Sequence, residues 1–159
     1  MERVYIETTI PSFYHTKRAA AEMVARRNWT REWWDQRRHC YELVTSAAVL
    51  EELMEADDPQ RTEMVEMMHE VTVLGEQAAV YEIVETYIER HVMPDDPTGD
   101  ALHLAFASFF KCDHLVTWNC KHLANASKFP HIRVVNTALG LFVPSLVTPL
   151  ELLAGGTER

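Results

Sequence analysis

Three observations predict an α/β fold with a parallel sheet covered on both faces. Short apolar runs of strand character recur along the 159 residues, and stretches of helical periodicity separate them. No internal repeat, low-complexity tract or Gly/Pro-rich linker interrupts the chain. Strands joined through helices close right-handed crossovers, so they run parallel and carry helices on both faces. The length suits one domain over residues 1–159.

Taken in order, Arg3-Val4-Tyr5-Ile6 alternates as a short strand ending at Glu7. Thr8-Thr9-Ile10-Pro11 turns into a helix whose first turn accepts the proline. Residues 16–38 hold no Gly or Pro and are rich in helix formers, and Thr30 with Trp33 and Trp34 one turn later predicts a second helix starting near Asn28 or Trp29. Glu42-Leu43-Val44-Thr45-Ser46 reads as a second strand, with Ser46 capping a helix over 47–56. Asp58-Pro59 opens another helix to about Glu70, and 71–74 is a candidate strand. Between 76 and 91 the apolar residues 79, 80, 83, 84, 87 and 88 follow the helical i, i+3, i+4 pattern. Residues 94–98 read as a loop. Thr98 or Asp100 caps a helix over 101–111, with Leu102, Ala105, Phe106 and Phe109 on one apolar face. His114-Leu115-Val116-Thr117 is a strand ending at Trp118-Asn119, 133–136 a further strand, and 148–151 the start of a terminal helical turn.

Composition narrows the function classes. No apolar stretch approaches the roughly 18 residues needed to span a bilayer, and the first residues lack the basic-then-apolar plan of a signal peptide. Cys40, Cys112 and Cys120 are too few and scattered for a disulfide scaffold, which points to reduced thiols and a cytoplasmic, membrane-free protein. Cys112 and Cys120 with His114 and His122 lack the spacing of a zinc site. The net charge of −9 argues against nucleic acid until it is divided along the chain. Residues 17–41 carry seven bases and three acids, whereas 42–100 carry two bases and sixteen acids.

The chemistry lies at the strand ends. In a parallel sheet the ligand site lies beyond the carboxyl ends of the strands. Glu7 ends the first strand, Glu51 and Glu52 sit in the second turn of the helix after the second, Asp100 starts the helix before the 114–117 strand, and Asn119 follows that strand. Carboxylates gathered without basic partners raise each other's pKa, and a hard divalent cation removes that penalty. All-oxygen donors suit Mg²⁺ or Mn²⁺. His103, one turn after Asp100, could approach a scissile phosphate or form a hydrogen bond at the helix edge.

Four blocks carry a resemblance: Tyr5-Ile6-Glu7-Thr8-Thr9, Ser46-Ala47-Ala48-Val49-Leu50-Glu51-Glu52-Leu53, Asp100-Ala101-Leu102-His103-Leu104-Ala105 and Leu115-Val116-Thr117-Trp118-Asn119. In this order and spacing, from residue 3 to about 136, the chain resembles PIN domains, most closely the VapC-type toxins of type II toxin–antitoxin pairs. The resemblance implies an α/β/α sandwich, Mg²⁺- or Mn²⁺-dependent ribonuclease activity, an antitoxin partner and a homodimer. By position it implies that Glu7, Glu52 and Asp100 hold the metal, Asn119 completes the catalytic set, and Thr9 and Thr117 support it. Two positions depart from the family's usual aspartates: Glu7 is one methylene longer, and Asn119 brings no charge. Three carboxylates suffice for one metal, and a second would bind more weakly. An alternative reading keeps the fold without turnover, as an RNA-binding or antitoxin-binding module.

The basic arm has two functional readings and one bland one. Lys17, Arg18, Arg26, Arg27, Arg31, Arg37 and Arg38, interleaved with Trp29, Trp33 and Trp34, suit RNA phosphates and stacked bases. They equally suit an interface with an antitoxin or second protomer, or a solvated helix face with its tryptophans in the core. RNA contact through the arm predicts binding that weakens steeply with salt.

Overall fold

The computed structural model describes residues 1–94 and 99–156. Five strands form one sheet: β1 (Arg3–Ile6), β2 (Glu42–Ser46), β3 (Thr72–Leu74), β4 (His114–Val116) and β5 (Ser145–Val147). Their spatial order is β3-β2-β1-β4-β5, and every neighbouring pair is parallel. Tyr5 pairs in register with Val44 on one side and Leu115 on the other, so β1 is the central strand. Val4, Tyr5 and Ile6 are all fully buried. Successive side chains of a strand point to opposite faces, so burial of all three requires cover on both sides, as the predicted α/β class demands.

The helices are α1 (Thr9–His15), α2 (Ala21–Arg37), α3 (Ala47–Glu55), α4 (Arg61–Met67), α5 (Ala78–Glu89), α6 (Asp100–Phe109), α7 (Phe129–Ala138) and α8 (Pro149–Gly156). α1 packs on α2 and α4, α2 on α8, and α5 on α6. α6 is buried along most of its length, with Ala101 to Ser108 buried without exception. It lies against the Tyr5 face of the sheet, where the Phe106 ring stacks on Tyr5 at 6.4 Å. At the other end of the chain, Thr148 and Glu151 start α8 with a reciprocal cap: the Thr148 amide donates to Glu151 Oε1 (3.1 Å), and the Glu151 amide donates to Thr148 Oγ1 (3.3 Å).

Three expectations are corrected. Residues 133–136 are not a strand but the middle of α7, where Ile132, Val135 and Asn136 are buried while Val134 is 65% exposed. That spacing is helical, and a four-residue segment with two apolar residues does not distinguish the two periods. The fifth strand is β5 instead, a three-residue segment tied to its neighbour by Thr117 N–H donating to Val147 O (2.9 Å). Nor does a new helix start near Asn28 or Trp29, because α2 runs unbroken. The Thr30 hydroxyl does not cap; it donates one turn back to Arg26 O (2.6 Å) and accepts from Trp118 Nε1 (2.7 Å). Lastly, Gly99 caps α6 and Asp100 is its first helical residue. Thr98, the other proposed cap, and most of the 94–98 loop lie outside the described residues.

One buried polar group on α7 fixes the packing of three helices. Asn136 is fully buried; its Nδ2 donates to Ser108 Oγ (2.9 Å) and Phe142 O (2.8 Å), and its Oδ1 accepts from the Tyr87 hydroxyl (2.6 Å). Burial of the Tyr87 phenol pushes its pKa up to about 12, so it stays a donor. Asn136→Leu strands these partners and is expected to destabilise the fold by about 2–3 kcal/mol in denaturant unfolding. Wild-type stability in that variant would show that the network adds nothing to the packing.

Candidate functional site

Strand order reverses between β1 and β4, because the chain builds outward from β1 first through β2 and β3 and then through β4 and β5. Such a switch point opens a crevice at the carboxyl ends of the two strands. Glu7 leaves β1 there, and Thr117, Trp118 and Asn119 leave β4. The start of α6 brings Asp100 to the same rim, and α3 brings Glu52.

Hydrogen bonds join these residues into one network. Glu7 is only 4% exposed, and its Oε1 accepts from the Thr9 amide (2.6 Å). Thr9 Oγ1 accepts from the Trp118 amide (2.8 Å) and lies 3.4 Å from Thr117 Oγ1. Thr117 Oγ1 in turn accepts from the Asn119 amide (2.9 Å), and Asn119 Nδ2 donates to Asp100 Oδ1 (2.9 Å). Thr9 and Thr117 therefore pin the loops after β1 and β4 to each other. Across the rim, Thr8 Oγ1 donates to Glu52 Oε2 (2.6 Å), and His103 Nε2 lies 3.2 Å from Glu52 Oε1.

The charges are strongly coupled. Burial raises the Glu7 pKa, against the opposing pull of the His103 charge and the Thr9 hydrogen bonds. Burial alone would lower the pKa of His103; the Glu52 hydrogen bond and the charges of Glu7, Glu52 and Asp100 reverse that and raise it. Three carboxylates thus act on one imidazole, and the rim carries an excess of negative charge.

Among the described residues, no three His, Cys, Asp or Glu side chains stand gathered as a ready metal-ligand set. The donor chemistry nonetheless fits a hard divalent cation, since Glu7, Glu52 and Asp100 offer oxygens only. Burial also disfavours the charged form of the Glu7 carboxyl, a penalty that a cation would relieve.

Hydrogen bonds and burial decide between the readings open for several sequence-predicted residues. The Asn119 amide oxygen accepts from the backbone N–H groups of Lys121 (3.3 Å) and His122 (3.0 Å), while its nitrogen faces Asp100. Asn119 therefore steadies Asp100 through its nitrogen, while its oxygen is engaged by the backbone of the following turn. His103 is 2% exposed with both ring nitrogens engaged, so it does not face a phosphate on the open rim. In the basic arm Trp33 is fully buried against Trp34 and Tyr41, which removes it from base stacking. Arg31 is bound to Tyr14 O and Arg38 to Glu70, and Arg37 lines a groove of about 740 Å³ with Glu2 and His114, beside the starts of β1 and β4. Arg27 Nε donates to the side chain of its neighbour Asn28 (3.4 Å). Arg26 alone of these comes to the rim: it donates to Trp118 O (3.3 Å), lies 5.1 Å over the Trp118 ring and pairs with Glu22 (2.9 Å).

A cleft of about 350 Å³ opens beside Glu52, lined by Glu51, Glu55, Glu76, Tyr81 and apolar Ala48, Leu102 and Phe106. The sequence reading missed Tyr5, Thr8 and Ser46 as parts of the site. Thr8 was legible as a hydroxyl next to Glu7, and Tyr5 as a phenol in an otherwise apolar strand interior.

No family model matches this sequence, and a search of the curated proteins finds no match. Among solved structures, the chain is similar to FitAcB from Neisseria gonorrhoeae. The two are 14% identical with a TM-score of 0.52, over 92% of this chain and 98% of that one. At that identity the likeness establishes the fold alone. No helix among the described residues is long and apolar enough to cross a membrane.

Proposed function

We propose that this chain is a PIN-type, metal-dependent ribonuclease, the cytoplasmic toxin component of a type II toxin–antitoxin pair. The observation that carries the reading is the rim itself, where Glu7, Glu52 and Asp100 arrive from three elements at a switch point with an excess of negative charge. Such a site repels RNA until a cation neutralises it. A bound Mg²⁺ or Mn²⁺ would supply that neutralisation, activate water and stabilise charge developing on the phosphodiester.

The chain's own residues do the rest. Glu7, Glu52 and Asp100 hold the ion, and Asn119 keeps the Asp100 carboxylate turned to the rim. Thr9 and Thr117 fix the two loops that carry Glu7 and Asn119. Arg26, stacked on Trp118, sets one positive charge next to the site for an incoming phosphate. Resemblance of the four sequence blocks supports cleavage to a 5′-phosphate and a 3′-hydroxyl, a homodimer, and an antitoxin whose basic groups meet the acidic 42–100 surface.

A second reading, a binding module without turnover, draws on one observation: no ready ligand set is gathered among the described residues. Incubating structured RNAs with the protein decides between them. Cleavage that requires Mn²⁺ or Mg²⁺, stops on chelation and returns on re-addition supports the nuclease. RNA binding with no cleavage under any metal favours the module, and cleavage indifferent to chelation removes the metal.

A further inference from the structure

Glu52 is held from inside the protein by residues that no part of the proposed chemistry uses. The Tyr5 hydroxyl lies 2.7 Å from Ser46 Oγ and 2.8 Å from His103 Nδ1, and His103 Nε2 lies 3.2 Å from Glu52 Oε1. Tyr5 and Ser46 are fully buried and His103 nearly so, whereas the Glu52 side chain is 37% exposed. The chain of contacts leads from the core to the solvent edge of the site and draws on β1, β2, α6 and α3.

We propose that His103 is a positioning residue that holds the Glu52 carboxylate at the rim, and that Tyr5 and Ser46 orient His103 for the task. An ionised carboxylate only accepts, so Nε2 carries a hydrogen toward Glu52. With a neutral ring, Nδ1 then accepts, Tyr5 donates to it, and Ser46 donates to Tyr5. With a charged ring, Nδ1–H donates to Tyr5 and Tyr5 donates to Ser46. The pair of hydroxyls reverses direction, and Glu52 faces an N–H donor in either state. Burial raises the Tyr5 pKa well above its ordinary value, which keeps the phenolic hydrogen in place. The second oxygen of Glu52 is fixed by Thr8, so the carboxylate is gripped from both sides.

The proposal rests on the metal-site reading for its consequence, and two measurements keep the two apart. The first is calorimetric titration with Mn²⁺, with melting curves for every variant. His103→Leu and Tyr5→Phe should each weaken Mn²⁺ binding by about 10–100-fold, the usual effect of removing an outer partner of a ligand. His103→Gln, whose amide N–H reaches toward Glu52, should bind within about threefold of wild type if that donor supplies most of this effect. Loss of packing alone would not separate Gln from Leu. Wild-type affinity in both His103→Leu and Tyr5→Phe, with affinity lost in Glu52→Gln, overturns the proposal. The second measurement needs no metal: ¹⁵N imidazole shifts of the wild type in alkaline buffer should show one tautomer, with hydrogen on Nε2. Hydrogen on Nδ1 overturns the relay. If the folded wild type binds no Mn²⁺, the nuclease reading fails, and the tautomer alone decides the relay.

Discussion

Asp100→Asn is expected to lower Mn²⁺-dependent RNA cleavage by about 10²–10³-fold, the range seen when one preorganised electrostatic group is lost from an active site. The substitution is close to isosteric. Its amide oxygen can still accept from Asn119 Nδ2, so the link from α6 to the loop after β4 survives. What disappears is one of three negative charges available to a cation. Asp100 is also the first residue of α6, where a carboxylate favours the positive end of the helix dipole. Losing that contribution costs about 0.3–1 kcal/mol of stability. The variant should therefore be slightly less stable, folded and nearly inactive. Cleavage by Asp100→Asn at the wild-type rate in the same Mn²⁺ buffer would remove Asp100 from the site.

Glu7→Gln should likewise abolish Mn²⁺ binding, yet make the metal-free protein more stable at neutral pH. Glu7 is 4% exposed, and burial raises its pKa above the ordinary value of 4.5. A carboxyl whose folded pKa is raised contributes stability that is present below its unfolded pKa and lost as pH rises through the folded one. At neutral pH the ionised form is thus a net cost, which glutamine removes while keeping an acceptor for the Thr9 amide. His103 adds in the same direction, since its pKa is also raised and its contribution fades as pH climbs past the ordinary 6.5. Metal-free wild type should accordingly lose melting temperature from acid toward alkaline pH, and Glu7→Gln should lose less. Saturating Mn²⁺, at about 100 times its Kd, would restore about 2.7 kcal/mol to the wild type and nothing to the variant. A melting temperature that falls in metal-free Glu7→Gln would mean that Glu7 serves the fold rather than a ligand.

These opposite signs follow from where the acids sit. Asp100 starts a helix, half-buried at the rim, and Glu7 is buried beneath it. A site that buries a carboxyl at the cost of stability is one suited to a cation.

Much of this was legible in the sequence, for identifiable reasons. β1, β2 and β4 alternate or run apolar between helix signals, Glu7 ends β1, and Glu52 and Asp100 stand on the helices after β2 and before β4, so the rim follows from the topology. β5 was hidden because three residues between Pro144 and Thr148 carry too little pattern, while the four-residue 133–136 run offered a false one. The unbroken α2 was misread because Thr30, a residue type that caps helices, spends its hydroxyl on Arg26 and Trp118 instead. The orientation of Asn119 and the Tyr5–Ser46–His103 contacts depend on pairings between residues up to 98 positions apart, which spacing along the chain does not encode.

The central claim is that Glu7, Glu52 and Asp100 together hold a divalent cation at the switch point between β1 and β4. Anomalous diffraction from crystals grown with Mn²⁺ tests it most directly. The account predicts a single strong anomalous peak within coordinating distance of all three carboxylates. A peak confined to the cleft of Glu51, Glu55 and Glu76, or no peak at the rim in crystals of protein that cleaves RNA, would contradict it.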